Sequence, residues 1–439
     1  MSSCISQAPK TVNLFTAICI VVANMIGTGV FTSLGFQVKD IQSGFALLFL
    51  WAIGGIFALC GALVYSELSA AMPHSGGEYY YLSRIYHPVV GFLSGWVSVT
   101  VGFAAPIAAA AMALGGYLSK VFPVISPTII ALGVVFSVSL VHMRNLQLGS
   151  YFQQVFTVIK VLLIIVLIGC GLSLAEPQNL GFLPSSTDVS LIFSSPFAVS
   201  LVYVTYSYSG WNASVYLASE VEEPEKNIPR SLIFGTLIVM GLYLLLNFIF
   251  LYTTPINQLE GELQVGYIAA NQIFGYSGAK IMGLLISFGL ISSVSSMIFA
   301  GPRVSQVIGE DIHVFKFLAK KNTSGIPLYA MLLQLFIVTI LLLTSSFEAV
   351  ISYLGFTLTL SSFITVLGVF IYRVRYPDVV RPYQTWGYPF TPIIFLSISL
   401  WMMIFILMDK PVESLAGMGT FILGLIVYFF ASKNQSELS

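Results

Sequence analysis

Long apolar runs, each close to the length of a bilayer crossing, dominate the chain. A helix needs about 20 mainly apolar residues to span the hydrocarbon layer. Twelve stretches qualify: residues 12–35, 44–68, 91–118, 124–143, 149–173, 190–218, 229–253, 278–305, 326–344, 348–372, 387–408 and 413–431. Within them the apolar positions are continuous and do not alternate, which predicts helices and argues against a transmembrane barrel. The first run is too long for a secretory signal and lacks a cleavage site. The expected fold class is therefore an all-α membrane protein with 12 transmembrane helices.

Composition narrows the picture further. Of the 439 residues, 8% are charged and 57% hydrophobic, and the mean hydropathy is +0.92. Soluble proteins carry roughly 25% charged residues, so a soluble enzyme, a nucleic-acid binder and a disordered chain are excluded. The 18 basic and 18 acidic residues cancel, which leaves no polybasic case for nucleic acid and makes the lipid bilayer the expected partner. With the N-terminus inside, the inner segments hold 13 Lys and Arg and the outer segments 4 (Lys39, Lys120, Lys280 and Lys410). That bias predicts cytoplasmic termini, residues 1–11 and 432–439, in a multi-pass plasma-membrane protein. Of Cys4, Cys19, Cys60 and Cys170, three sit in apolar runs and none has metal-ligand spacing, so they read as packing residues. No outer cysteine suits a disulfide-linked accessory subunit, and the chain is expected to act alone, without metal or cofactor.

Two spans look interrupted. Span 1 contains Ile26-Gly27-Thr28-Gly29-Val30-Phe31 at mid-membrane depth, and each glycine weakens a helix by about 1 kcal/mol relative to alanine. Span 6 contains Tyr206-Ser207-Tyr208-Ser209-Gly210-Trp211-Asn212. Either cluster alone could be close helix packing. Span 1 opens a set of five spans, however, and span 6 opens a second set of five, inverted because five is odd. Interruptions at matching places in two halves point to a transporter binding site. Unwound backbone offers N–H groups to a carboxylate and carbonyls to an ammonium, and an α-amino acid carries both.

At these residues the chain resembles the amino acid–polyamine–organocation (APC) superfamily, and within it the L-amino-acid transporter (LAT) family with its bacterial Ala/Ser/Cys- and Ser/Thr-type exchangers. Four motifs carry the likeness: Ile26–Phe31, Pro73-His-Ser-Gly-Gly-Glu-Tyr-Tyr-Tyr-Leu82, Tyr208-Ser-Gly-Trp-Asn212, and Glu220-Val-Glu-Glu-Pro-Glu-Lys-Asn-Ile-Pro229. The resemblance implies a LeuT-type 5+5 inverted repeat with broken helices 1 and 6: residues 12–173 and 190–373 as the repeats, with 387–431 peripheral. It also implies alternating access, with substrate held by Ile26, Gly27, Thr28, Gly29, Val30, Tyr206, Ser207, Ser209 and Gly210. Tyr206 matches an aromatic position that closes over substrate. Ser209 stands where the large-neutral branch often has Gly, which favours small substrates such as Ala, Ser or Thr.

Lys160 is the one ionisable side chain placed near a span centre, about 11 residues in, or roughly 16 Å deep. A mid-bilayer lysine costs about 2.5–3.5 kcal/mol on insertion scales and marks function; the alternative is a side chain that reaches back to the headgroups. Gln153, Thr157 and Lys160 share one helical face. In sodium-coupled relatives of this fold a Na⁺ lies between spans 1, 5 and 8. By that likeness the Lys160 ammonium would take the ion's place, held by carbonyls near Gly27 and by Ser292, Ser293, Ser295 or Ser296. Trp211 and Asn212 complete the expected coupling and gating set. Asn247 is read as a bond to a neighbouring helix, Thr357, Ser361 and Thr365 as a packing stripe, and Glu220 to Glu225 as a solvated loop facing Arg84 or Arg144. The four histidines are assigned no chemistry.

No Walker loop, metal cluster or membrane-embedded acid–base pair appears, so the chain is not read as an enzyme. The expected function is transport of neutral, small L-amino acids by sodium-independent exchange. The alternatives are a proton-coupled symporter and, further off, a non-transporting sensor or a channel.

Overall fold

The computed structural model describes residues 12–74, 76–144, 148–322 and 325–436, with side chains at all of these except 148–156, 313 and 432–436. Cys4, Lys10, Ser75 and the side chains of Gln153, Gln154 and Lys433 lie outside the described residues. The described chain is helical. Its β-type pairing is one isolated bridge between Val12 and Val221.

The helices are α1 (Leu14–Met25), α2 (Gly29–Gln37), α3 (Gly44–Ala71), α4 (Gly77–Ile85), α5 (Pro88–Val97), α6 (Ala104–Val121), α7 (Pro127–His142) and α8 (Leu148–Leu174). They continue with α9 (Ser186–Ile192), α10 (Ser195–Tyr208), α11 (Pro224–Thr253), α12 (Ile256–Leu259), α13 (Val265–Asp311), α14 (Leu328–Thr344), α15 (Phe347–Arg375), α16 (Phe390–Asp409) and α17 (Pro411–Ser436). Helix occupies every one of the twelve apolar stretches. Among the described residues, nine helical segments are long and apolar enough to cross a membrane, or ten if α9 and the helix after it, bent by 68°, count as one. Helices α7 and α14 are apolar but shorter. Many large side chains on the outer faces, such as Phe234, Ile281 and Phe336, are exposed. In a lipid-facing protein this is the favourable arrangement. The chain is a multi-pass membrane protein.

Local chemistry sets the helix ends. Asn13, Ser43, Ser194 and Ser346 each accept a backbone N–H at a helix start. Pro88, Pro127, Pro196 and Pro224 fall in first turns, where the missing N–H costs nothing. Span 3 is not one regular helix: a π-helical turn at Ser98–Gly102 joins α5 to α6. The run expected from residue 278 belongs to a helix that begins at Val265 and kinks at Gly275, whose φ is 70°. The loop that leads into this helix meets the C-terminal end of α2, where Gly261 N–H donates to the Gly35 carbonyl.

Helices α3 and α11 pack against the two interrupted spans, α11 against α1 and α3 against α10, and α13 packs against α6 and α8. At one end of α3 the fully buried Glu67 accepts two bonds from Arg373 (2.8 and 2.6 Å) and two from Thr385 (2.8 and 2.7 Å). Arg381 lies 3.6 Å from the same carboxylate. This cluster ties α15 and the segment after it to α3.

Candidate functional site

Both interruptions are open backbone. Helix α1 ends at Met25, and Ile26 leaves helical geometry with φ −74° and ψ 86°. The Gly27 N–H folds back onto the Met25 carbonyl (2.8 Å), and helix resumes at Gly29. In span 6 the helix runs through Tyr206, Ser207 and Tyr208, further than the sequence reading put it. The chain then opens at 209–212. Ser209 is extended (φ −57°, ψ 146°) and Gly210 has φ 99°, in the left-handed region that favours glycine.

The two openings touch. A Cβ on Gly210 would lie 2.8 Å from the Asn24 carbonyl carbon, and one on Gly29 would lie 2.3 Å from Ser207 Oγ. The Thr28 and Tyr206 hydroxyls share a 2.7 Å hydrogen bond across the junction. Ser207 Oγ is turned onto α2, where it meets Ser33 Oγ (3.0 Å), and it donates to the Tyr203 carbonyl (2.8 Å). Val30 and Ile26 are buried.

Buried carbonyls need donors, and side chains from other helices supply them. Lys160 Nζ donates to the Ile26 carbonyl (3.0 Å) and to Ser293 Oγ (2.8 Å), with the residue only 6% exposed. It does not reach back to a headgroup region. The other candidate serines part company with it: Ser295 Oγ bonds His142 Nε2 (2.8 Å), and Ser296 Oγ donates to the Ser293 carbonyl (2.9 Å). Ser292 is buried and shows no side-chain bond to Lys160. Thr157 is buried on the Lys160 face.

Tyr243 on α11, which sequence reasoning passed over, donates to the Met25 carbonyl (2.6 Å) and lies 3.1 Å from the Ser207 carbonyl. It connects the two openings directly. Tyr117 on α6, also missed, donates to the Phe31 carbonyl (2.7 Å) and accepts from the Gly266 N–H (3.0 Å). The available signal was a polar tip inside each apolar run: Tyr243 and Asn247 are spaced i, i+4. Asn247 itself departs from its reading, because its amide donates to the Tyr243 carbonyl of its own helix (2.8 Å) and not to a neighbour. His142, assigned no chemistry, is the buried partner of Ser295.

Trp211 stands edge-on to Tyr65, ring centroids 4.7 Å apart. Asn212 Nδ2 donates to Glu78 on α4 (2.8 Å) and lies 3.3 Å from the Tyr216 hydroxyl. Thr357 and Thr365 bond carbonyls of their own helix, which suits a packing stripe. In the acidic loop Glu223 pairs with Lys226 (2.9 Å), while the Arg84 guanidinium lies over the Tyr80 ring.

Beside Lys160, a cavity lined by Gly27, Phe31, Leu163, Ile286, Gly289 and Leu290 has a volume of about 10 Å³, room for roughly one water molecule. At one end of the two spans, Lys39 pairs with Glu348 (2.8 Å) and Lys120 with Glu262 (3.5 Å). At the other end of the two spans, Val12 exchanges backbone bonds with Glu220 (3.1 Å) and Glu222 (2.9 Å). Among the described residues no group of three or more His, Cys, Asp or Glu side chains could hold a metal.

This arrangement can grip a small zwitterion and re-form around it; it holds no acid–base or nucleophile constellation. The family model for amino acid permeases matches residues 12–431. The b(0,+)-type amino acid transporter 1 of Mus musculus is 28% identical over 432 residues, covering 96% of this chain and 87% of the relative. The mouse large neutral amino acids transporter small subunit 2 is 27% identical over 435 residues, covering 96% and 80%. The serine/threonine exchanger SteT of Bacillus subtilis (strain 168) is 26% identical over 437 residues, covering 98% of each chain.

The chain belongs to the amino acid permease family, within the APC superfamily: it is an amino acid transporter and not an enzyme.

Proposed function

We propose that this permease exchanges small neutral L-amino acids across the cell membrane, without sodium, by alternating access. The observation that carries the reading is the contact of the two interrupted spans around 26–29 and 206–210, with Lys160 bound to the Ile26 carbonyl from span 5. Once the openings part, the N–H groups at the start of α2 can take a carboxylate, and the carbonyls of Met25, Ile26 and Ser207 can take an ammonium. Ile26, Gly27, Thr28, Gly29 and Val30 on one side, and Tyr206, Ser209 and Gly210 on the other, would line the substrate. Ser207 would support the contact from behind.

The Lys160 ammonium, bonded to a carbonyl of span 1 and a hydroxyl of span 8, occupies a place suited to a small cation. That supports sodium-independent transport. No carboxylate pairs with it among the described residues, so a cationic substrate side chain would meet an uncompensated like charge. The Thr28–Tyr206 bond leaves little depth for a long side chain, which supports Ala, Ser or Thr over larger substrates. The exchanger in the printed name of the Bacillus relative supports antiport. We read the architecture as twelve spans, with 12–173 and 190–373 as inverted repeats and both termini cytoplasmic, and the chain as working without a disulfide-linked subunit.

The test is counterflow in proteoliposomes. Labelled serine or alanine should enter only vesicles loaded with unlabelled substrate, equally well in sodium and choline, with leucine weaker and arginine inactive. Uptake driven by a pH gradient into empty vesicles would replace exchange with proton symport. Saturable binding without movement of label would indicate a sensor, and non-saturating flux a channel.

A further inference from the structure

The transport reading leaves unused a buried acid, Glu78, on the nine-residue helix α4. The residue is 7% exposed. Its Oε1 accepts from the Tyr65 hydroxyl (3.0 Å) and from Asn212 Nδ2 (2.8 Å), and its Oε2 accepts from the Tyr216 hydroxyl (2.5 Å). All three donors are neutral, and Glu78 forms no ion pair among the described residues. The titratable groups around it are Tyr65 from α3, Tyr216 from the turn after the span 6 opening, and Tyr81 on its own helix. Both oxygens of the acid thus serve as acceptors, and three donors from two other elements converge on it.

The backbone is shaped for this contact. Gly76 and Gly77 precede Glu78 with φ 121° and 54°. A Cβ on Gly77 would lie 2.5 Å from the Tyr216 ring, so the bare turn lets that ring lie against it and aim its hydroxyl at the acid. On the next residue, the Tyr79 hydroxyl donates to Asp311 at the end of α13. Burial, with Asp311 beside it, raises the Tyr79 phenol above its usual value. Adjacent residues of α4 therefore fasten two bodies. Glu78 holds α3 and the 209–216 segment, and Tyr79 holds α13.

We propose that Glu78 is a positioning residue that, through Asn212, keeps the 209–212 opening shut in the empty carrier and lets go when substrate parts the two openings. The inference rests on the exchange reading above. Asn212 is two residues from Gly210, which presses on Asn24. Even a methyl on Gly210 would collide with Asn24, so an entering amino acid must separate that contact, and the shift reaches Asn212 within the same turn. A carrier that can release this bond only when loaded cannot return empty, which is what obligatory exchange requires.

The experiment measures efflux of labelled serine from proteoliposomes, with and without serine outside. Wild type should release label only against outside serine. Glu78→Gln keeps the shape and one acceptor oxygen but removes the charge. It should raise efflux into serine-free buffer about tenfold or more, the scale of one charge-assisted hydrogen bond, while exchange changes by less than about threefold. Asn212→Asp, which sets two carboxylates together, should leak at about pH 7.5 and tighten at about pH 5, where the pair can share a proton. Both variants would be checked for a monodisperse gel-filtration profile; a variant that fails to fold is replaced by Tyr216→Phe, which weakens the same cluster and should leak in the same direction. Variants that keep the wild-type dependence on outside serine, or that lose exchange and efflux in proportion, overturn the latch and leave the exchange reading standing. A wild type that empties equally fast into serine-free buffer removes the exchange reading, and the latch with it.

Discussion

Replacing Lys160 by methionine keeps most of the side-chain volume and removes two charge-assisted bonds, to the Ile26 carbonyl and to Ser293 Oγ. Each such bond contributes about 1.5–3 kcal/mol. Against that gross gain stands the cost of placing a lysine in mid-bilayer, about 2.5–3.5 kcal/mol. The difference leaves about 0.5–2.5 kcal/mol holding the span 1 opening in place, or roughly two- to sixtyfold at about 1.4 kcal/mol per decade. Serine counterflow in Lys160→Met should therefore fall by that factor. Ser293→Ala, which leaves the Ile26 bond intact, should lose about tenfold, the worth of one charge-assisted bond at about 1.5 kcal/mol. Ser295→Ala should leave the lysine untouched, because that hydroxyl bonds His142. The assay is counterflow across a range of serine concentrations, with protein amount normalised. Lys160→Met matching wild type at every concentration, or Ser295→Ala costing more than Ser293→Ala, would refute the reasoning.

Three further outcomes follow from the same geometry. Gly29→Ala drives a methyl into Ser207, whose Cα lies 2.5 Å from the added carbon; overpacking of about 1–3 kcal/mol should abolish most counterflow, and Ser207→Gly in the same chain should restore only part of it. Tyr243→Phe removes the hydroxyl that bridges the Met25 and Ser207 carbonyls while Gly27 N–H still serves Met25; at about 0.5–1.5 kcal/mol it should cut exchange roughly two- to tenfold without lowering the melting temperature as far as a core cavity would. Glu67→Ala leaves Arg373 and Arg381 without their buried acid; a loss of about 3 kcal/mol should appear as a lower Tm in detergent, while the surviving folded fraction still exchanges serine.

Much of this was readable in the order of residues, for physical reasons that particular positions make plain. Gly27, Gly29 and Gly210 mark the openings because helix propensity falls there inside runs that otherwise have every reason to be helical. Lys160 stood out because charge in an apolar run is costly. Its partner did not, because Ser292, Ser293, Ser295 and Ser296 sit within little more than one turn of α13, and only the rotation of that helix, set by packing on α6 and α8, turns Ser293 toward the lysine. Helix α4 was read only as a motif: nine residues are too few to cross a bilayer, so a count based on span length passes over it. Tyr243 and Tyr117 looked like packing because an apolar ring hides a polar tip until the carbonyl it serves is known. The early start of α13 was missed because Gly275 interrupts the pattern that would have extended it.

The way the openings satisfy their oxygens has a consequence for how tightly cargo can be held. Lys160 and Tyr243 already donate to Ile26 and Met25, so an arriving ammonium does not find vacant acceptors; it must take the place of donors already there. Trading one partner for another changes the number of bonds very little, so gripping is shallow and letting go is quick. A carrier has to surrender its load on the far side, and backbone that is never left dry makes it a weak binder by construction.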